Sequence, residues 1–272
     1  MKNIQFIKMH GLGNDFVIID NSENIAEIKK KEILKKISSR NFGVGCDQIL
    51  IIESNDYENA EVSIFNNDGS ETGACGNGVR CVASYLMNKK NTYKIKIKTI
   101  SGILECWIEN KNCYVNMGKP IFEWTQIPLA KKVESQIIKI DQFELFCLSM
   151  GNPHGVIFFK NLDQFKKVKI EEIGPIIQNN VNFPEGINVE FATILRDKTI
   201  RMKVWERGAG KTLACGSGAC ATLVAAHELK LSSRKNEIIL DGGKLNINWL
   251  DNGDVIMSGE VNHVFEGTFF YE

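Results

Sequence analysis

Neither sign of charge is in excess in this chain of 272 residues, where 33 Lys and Arg stand against 33 Asp and Glu. With no global field to draw the protein to nucleic acid or an anionic membrane, a small molecule is the default partner. Long apolar runs are lacking as well, and none approaches the roughly 20 residues that span a bilayer. The start, MKNIQFIKMHGLGNDF, has no charged region followed by an apolar stretch and a cleavage site, so a soluble cytoplasmic protein is expected. Among eight cysteines and four histidines there is no CxxC and no HxxxH pair, which speaks against a zinc site and against a thioredoxin-like redox centre. Eight cysteines in so long a chain do not read as a secreted disulfide scaffold either.

What is present can bury a sizeable core: 43% of the residues are hydrophobic, and the length suits two domains of about 130 residues each. Strand-like apolar runs recur at 16–20, 48–53, 62–65, 95–100, 155–159 and 200–205. Helical patterns are few. Ile33, Leu34 and Ile37 form one apolar stripe among lysines over 30–40, a surface helix with a solvated charged face. Two further helices, rich in small apolar residues, begin after ACGNG and ACGSG. Many strands with few helices, not in regular alternation, predict an α+β fold.

The chain also repeats itself. Cys75-Gly76-Asn77-Gly78 and Cys215-Gly216-Ser217-Gly218, with Ala74 and Ala214 before them, match at an offset of 140, as do Thr72 and Thr212. The strand ending at Phe65-Asn66 corresponds to the one ending at Trp205-Glu206, and Gly13-Asn14 matches Gly151-Asn152 at 138. Gly102 and Gly243 follow at 141, and Met117-Gly118 resembles the Met257-Ser258-Gly259 stretch. A duplicated fold is implied, two pseudo-symmetric lobes with a site in the cleft between them.

A cysteine before Gly-x-Gly at a helix start sits where first-turn N–H groups and the helix dipole favour an anion, either a thiolate or a bound carboxylate. One such cysteine is ordinarily a small buried hydrophobe. Packing gives no reason for two lobes to carry the same nucleophile at the same turn. Two equivalent weak bases suit stereoinversion at carbon, in which one thiolate removes a proton and the opposite thiol returns one. Cys46, Cys81, Cys106, Cys113, Cys147 and Cys220 lack that context and read as structural. His154 and Glu206 could bias the proton state of a nearby thiol.

At KMHGLGNDFV, GCDQ, IFNNDGSE, ACGNGVRC, NMGKPIF, SMGNPH, INVEF, VWERGAGKTLACGSGACA and SGEVNHVFEG the chain resembles the diaminopimelate epimerases, essentially from end to end. The resemblance implies lobes over 1–118, with 263–272 returning to it, and 119–262, each a curved, mostly antiparallel sheet around a central helix. It implies interconversion of LL- and meso-2,6-diaminopimelate without pyridoxal phosphate or metal, in lysine and peptidoglycan precursor synthesis. Cys75 and Cys215 become the two bases, with His154 near the first and Glu206 near the second. Substrate-binding positions fall on Asn14, Gln48, Asn66, Gly76, Asn77, Asn152, Asn188, Glu206, Arg207, Gly216 and Ser217. Backbone N–H groups of Gly76, Asn77, Gly216 and Ser217 would hold the reacting carboxylate. Arg207, with Asn66 and Asn188, would take the distal one. The resemblance implies a homodimer, and Phe265 departs from it, standing where members often have a tyrosine used in dimer contacts. Cys46 replaces a common Phe as a packing variation. The alternatives are a racemase or epimerase of proline or hydroxyproline, and a non-catalytic thiol switch that joins Cys75 to Cys215 reversibly.

Overall fold

A computed structural model describes residues 2–20, 24–53, 59–73 and 75–271. Ala74, one half of the Ala74/Ala214 match, lies outside the described residues. The chain forms two compact units, Met1–Val115 with Gly259–Glu272, and Asn116–Ser258.

The first unit opens with β1 (Lys2–Gly11) and β2 (Asn14–Ile19), an antiparallel pair. Helices α1 (Ile25–Ile28) and α2 (Lys31–Ser38) then cross to β3 (Gln48–Ile52), which lies parallel to β2. A parallel neighbour needs such a crossover, since a tight turn can only reverse the chain. Strands β4 (Asn59–Asn66) and β5 (Glu71–Thr72) follow antiparallel. Helix α3 (Gly76–Lys90) crosses to β6 (Lys94–Thr99), parallel to β4. Strands β7 (Gly102–Glu109) and β8 (Asn112–Asn116) close the run antiparallel. Both faces of β2 and β3 are covered. Val17, Ile19, Ile49 and Ile51 pack with Ile33, Leu34 and Ile37 of α2, while α3 packs on the sheet's other face, against β1, β2, β3, β6 and β7. That double burial explains why these strands read as unbroken apolar runs. In β6, buried Ile95 and Ile97 alternate with exposed lysines, the pattern of a strand with one wet face.

The second unit repeats this topology from its second strand onward, with one further strand ahead of it. Strands β9 (Ile137–Ile140), β10 (Phe143–Ser149) and β11 (Pro153–Phe159) are antiparallel. Helices α4 (Leu162–Lys167) and α5 (Ile170–Gln178) cross to β12 (Asn188–Ile194), parallel to β11. Strands β13 (Ile200–Glu206) and β14 (Gly210–Thr212) lead into α6 (Gly216–Glu228), which crosses to β15 (Lys235–Ile239), parallel to β13. Strands β16 (Lys244–Trp249) and β17 (Val255–Gly259) follow. Register repeats as well as order: Phe16 faces Gln48 as His154 faces Asn188, and Ile64 faces Thr72 as Val204 faces Thr212. Every residue of α6 from Gly216 to Ala226 is buried. A helix apolar on all sides belongs inside a layer, and α6 touches β10 to β13, β15 and β16, so the sheet curls around it. The last strand, β18 (Asn262–Tyr271), pairs antiparallel with β1 from Lys2 opposite Tyr271 to His10 opposite Asn262. Among the described residues no helix is long and apolar enough to cross a membrane.

Helix α5 carries a close approach. A Cβ on Gly174 would lie 2.4 to 2.7 Å from Trp205 ring and Cβ atoms, and Trp205 donates its indole N–H to Gln178 at 2.9 Å. Gly174→Ala is expected to lower stability by about 1–3 kcal/mol, the usual cost of overpacking. A thermal melt that matches the parent within a degree would reject this account of the contact.

Candidate active site

Cys75 and Cys215 are the N-caps of α3 and α6, both in extended backbone conformation. Each thiol takes the place of a capping hydroxyl or carboxylate: Cys75 Sγ accepts from the Gly78 N–H at 3.3 Å, and Cys215 Sγ from the Gly218 N–H at 3.4 Å. Their carbonyls accept the first helical bonds, from Val79 and Ala219. Gly76, Asn77, Gly216 and Ser217 therefore lie in first turns, where N–H groups have no acceptor within the helix. The glycines at the third position are required by space. A Cβ on Gly78 or Gly218 would come within 3.2 or 3.3 Å of the thiol sulfur.

In the first unit Asn14, Gln48 and Asn66 sit at the same end of β2, β3 and β4. Asn14 Nδ2 donates to Asp47 at 2.8 Å, and its Oδ1 faces the Cys75 thiol at 3.9 Å and Asn77 Nδ2 at 3.4 Å. Gln48 donates to Asn66, which in turn donates to Ser70. The buried Arg80 guanidinium donates to Asn77 Oδ1 at 2.8 Å and holds that side chain below the turn. Asp47 is itself fixed. Arg40 bridges Asp15 and Asp47, Lys8 pairs with Asp15 and donates to the Gly45 carbonyl, and the Asp47 N–H donates to Asp15. Burial alone would raise the Asp15 carboxyl, but hydrogen bonds from Arg40 and Lys8 outweigh it and hold it at about 2. Because the folded value lies below the ordinary 3.8, Asp15 adds stability above that pH and loses it as pH falls toward 2. The gain is at most about 2 kcal/mol. Urea titrations of the parent and Asp15→Asn should therefore differ at pH 6 and converge near pH 2; a constant gap would contradict the assignment.

In the second unit the hairpin of β13 and β14 turns through Gly208 and Gly210, both at positive φ. It brings the Glu206 carboxylate onto the Thr212 hydroxyl and beside Cys215. Burial pushes the Glu206 carboxyl up, against the hydrogen bonds from Thr212 and Cys215. Burial likewise pushes the Cys215 thiol far up, and the carboxylates of Glu206 and Glu190 push it further. All three causes favour the thiol over the thiolate at Cys215. Ser217 Oγ lies 3.6 Å from its sulfur. His154, fully buried, contacts Glu190 at 2.7 Å through Nδ1 and Asn152 Oδ1 at 2.9 Å through Nε2. Asn188 donates to the Pro153 carbonyl and accepts from the Arg207 N–H, so it braces the turn that carries Arg207. The Arg207 side chain donates to the Glu185 carbonyl at 3.0 Å and is otherwise exposed.

The sequence model for diaminopimelate epimerase matches residues 6–123 and 146–264. A protein of that name from Acidiphilium cryptum is 44% identical over 96% of this chain and 95% of its own length. One from Carboxydothermus hydrogenoformans is 40% identical over 98% of this chain and 100% of its own. The chain belongs to the diaminopimelate epimerase family. Solved structures far lower in identity share the fold. A phenazine biosynthesis protein of the PhzF family from Enterococcus faecalis superposes with a TM-score of 0.71 at 11% identity, covering 99% of this chain and 100% of its own. A hydroxyproline epimerase from Agrobacterium vitis does so with 0.68 at 10%, over 98% and 92%. At such identities the likeness speaks to the fold alone.

Of the positions that the diaminopimelate epimerase motifs single out, Asn14, Gln48, Asn66, Gly76 and Asn77 lie in the first unit, and Asn152, Asn188, Glu206, Arg207, Gly216 and Ser217 in the second. The six cysteines read as structural are all buried, and burial pushes Cys46 up to about 12 and Cys113 to about 11. Sequence reasoning missed Asp47, Arg80 and Glu190. Asp47 stands beside Gln48 in GCDQ, and the signal for the other two was a charged residue in an otherwise apolar run.

Proposed function

We propose that the protein interconverts LL- and meso-2,6-diaminopimelate by two-base proton transfer at the α-carbon, with no cofactor. The supporting observation is the pair of thiols in duplicated N-caps, each accepting an N–H from the third residue of its helix. Family membership names the substrate class. An α-proton beside a carboxylate is a poor acid, and the N–H groups of Gly76, Asn77, Gly216 and Ser217, at the positive ends of two helices, stabilise the charge that builds on that carboxylate. In one direction Cys75 is the base: its thiolate takes the α-proton and the Cys215 thiol delivers one to the opposite face. Reversal exchanges the roles. His154 and Glu206 tune the thiols, and Arg207 binds the distal carboxylate with help from Asn66 and Asn188.

Turnover in D₂O tests the reading. The product epimer should carry deuterium at one α-carbon, whereas oxidant-sensitive thiols with no α-hydrogen exchange from diaminopimelate would replace it with a thiol switch. Proline and hydroxyproline, which have no distal carboxylate for Arg207, should not be turned over. We further propose a cytoplasmic homodimer, built on the β18 strand where Phe265, half-exposed, stacks edge-on against Phe6 at 5.8 Å. Sedimentation velocity should show a dimer that Phe265→Asp weakens; a monomeric parent would rule it out.

A further inference from the structure

The two units fill one equivalent layer with opposite chemistry. Behind the first turn of α3 stand Phe16 and Leu50: a Cβ on Gly78 would meet Leu50 Cδ2 at 2.9 Å and Phe16 Cε1 at 3.3 Å. The same places in the second unit hold His154 and Glu190, and a Cβ on Gly218 would meet Glu190 Oε1 at 2.7 Å. The first unit shows that packing is satisfied by an apolar pair. A sealed His and Glu are costly by comparison, so their presence calls for another explanation.

Hydrogen-bond bookkeeping supplies it. His154 faces an oxygen at each ring nitrogen, Glu190 Oε1 at Nδ1 and Asn152 Oδ1 at Nε2. An amide oxygen only accepts, so Nε2 carries hydrogen. The 2.7 Å contact at Nδ1 needs a hydrogen as well, since an unprotonated ring nitrogen and a carboxylate oxygen would both be acceptors. Glu190 Oε2 is buried with no hydrogen-bond partner among the described residues. Glu206, Cys215 and Cys147 are the other titratable groups that feel this pair. Were the ring neutral with hydrogen on Nδ1, Nε2 would be an acceptor and Asn152 would turn its amino group inward. Instead its oxygen is engaged, and Nδ2 has no partner among the described residues. Asn14, at the matching place, is held the other way round, with Nδ2 on Asp47 and Oδ1 presented toward Cys75 and Asn77.

We propose that Glu190 is a positioning residue: through a His154 ring that carries hydrogen on Nε2 it fixes the Asn152 amide with Nδ2 outward, as a donor for an anionic oxygen of the substrate. Asp47 fixes Asn14 with its acceptor toward Cys75 and Asn77 at the start of α3, suited to a substrate ammonium held there. The duplicated asparagines thus read groups of opposite charge. Only the identity of the substrate rests on the epimerase reading.

Nitrogen-15 NMR of histidine in the full-length protein tests this without turnover. His154 should carry hydrogen on Nε2 in the parent, and Glu190→Gln, which can present an amide oxygen to Nδ1, should populate the tautomer with hydrogen on Nδ1 instead. In kinetics with LL-diaminopimelate, Glu190→Gln should raise KM about tenfold with kcat changed by less than about threefold, the pattern of lost ground-state contacts. Glu190→Asp should recover part of that loss. The double variant His154→Phe with Glu190→Leu, which copies the first unit, should fold and match the KM of Glu190→Gln or exceed it. A His154 Nε2 without hydrogen in the parent, or an unchanged KM in Glu190→Gln, overturns the proposal. Absence of turnover by the parent would instead count against the epimerase reading and leave the NMR result to stand.

Discussion

Replacing Cys75 or Cys215 by alanine should lower kcat for epimerisation of LL-diaminopimelate by about 10³-fold or more, each change being as severe as the other. A positioned proton-transfer group contributes about 10² to 10⁴ in rate, and neither thiol can serve both faces of the α-carbon. The two losses should differ in kind. Offered the epimer whose α-hydrogen faces its surviving thiol, each variant should still exchange that hydrogen slowly with D₂O while failing to invert the centre. Losing the cap costs about 0.5–2 kcal/mol of helix stability, which circular dichroism can separate from the chemical loss. Turnover within tenfold of the parent in either variant would sink the two-base assignment.

Arg207→Ala should reduce kcat/KM for diaminopimelate by about 10² to 10³-fold, mostly through KM. A charged carboxylate left without its partner typically costs 2–5 kcal/mol. Arg207→Lys should recover little, because an ammonium cannot offer the planar fork that a carboxylate accepts. The backbone around Arg207 is independently braced: its N–H is held by Asn188, and a Cβ on Gly186 would press on its side chain at 3.2 Å. Truncation should therefore leave the melting temperature nearly unchanged. A steady-state comparison that finds kcat/KM within threefold would move the distal carboxylate elsewhere.

The helices that carry the thiols were legible in the sequence because their determinants are local. A cysteine cap, two glycines and a run of small apolar residues lie within fifteen positions of each other. The duplication was legible for the same reason, as landmarks at a nearly constant offset. Strand order was not. Nothing in FVIID or QILIIE says that β2 and β3 run parallel, which follows from the crossover of α1 and α2 and from burial of both strand faces. Polar networks assembled across strands were also out of reach. Glu190 and His154 are 36 positions apart, and the expectation for Glu206 alone could not anticipate a second carboxylate pressing on Cys215. Lys8, Asp15, Arg40 and Asp47 converge from four segments, so no window of sequence contains the reason that Asn14 points its oxygen toward Cys75.

The pairing of β18 with β1 sets an order on biosynthesis. Residues 116–258 are continuous, so that half can finish folding as soon as it leaves the ribosome, whereas the half synthesised first must wait with one margin of β1 uncovered until residues 262–271 emerge. The earlier half is thus completed last. During that interval its exposed strand is the part of the nascent chain most in need of protection from other chains.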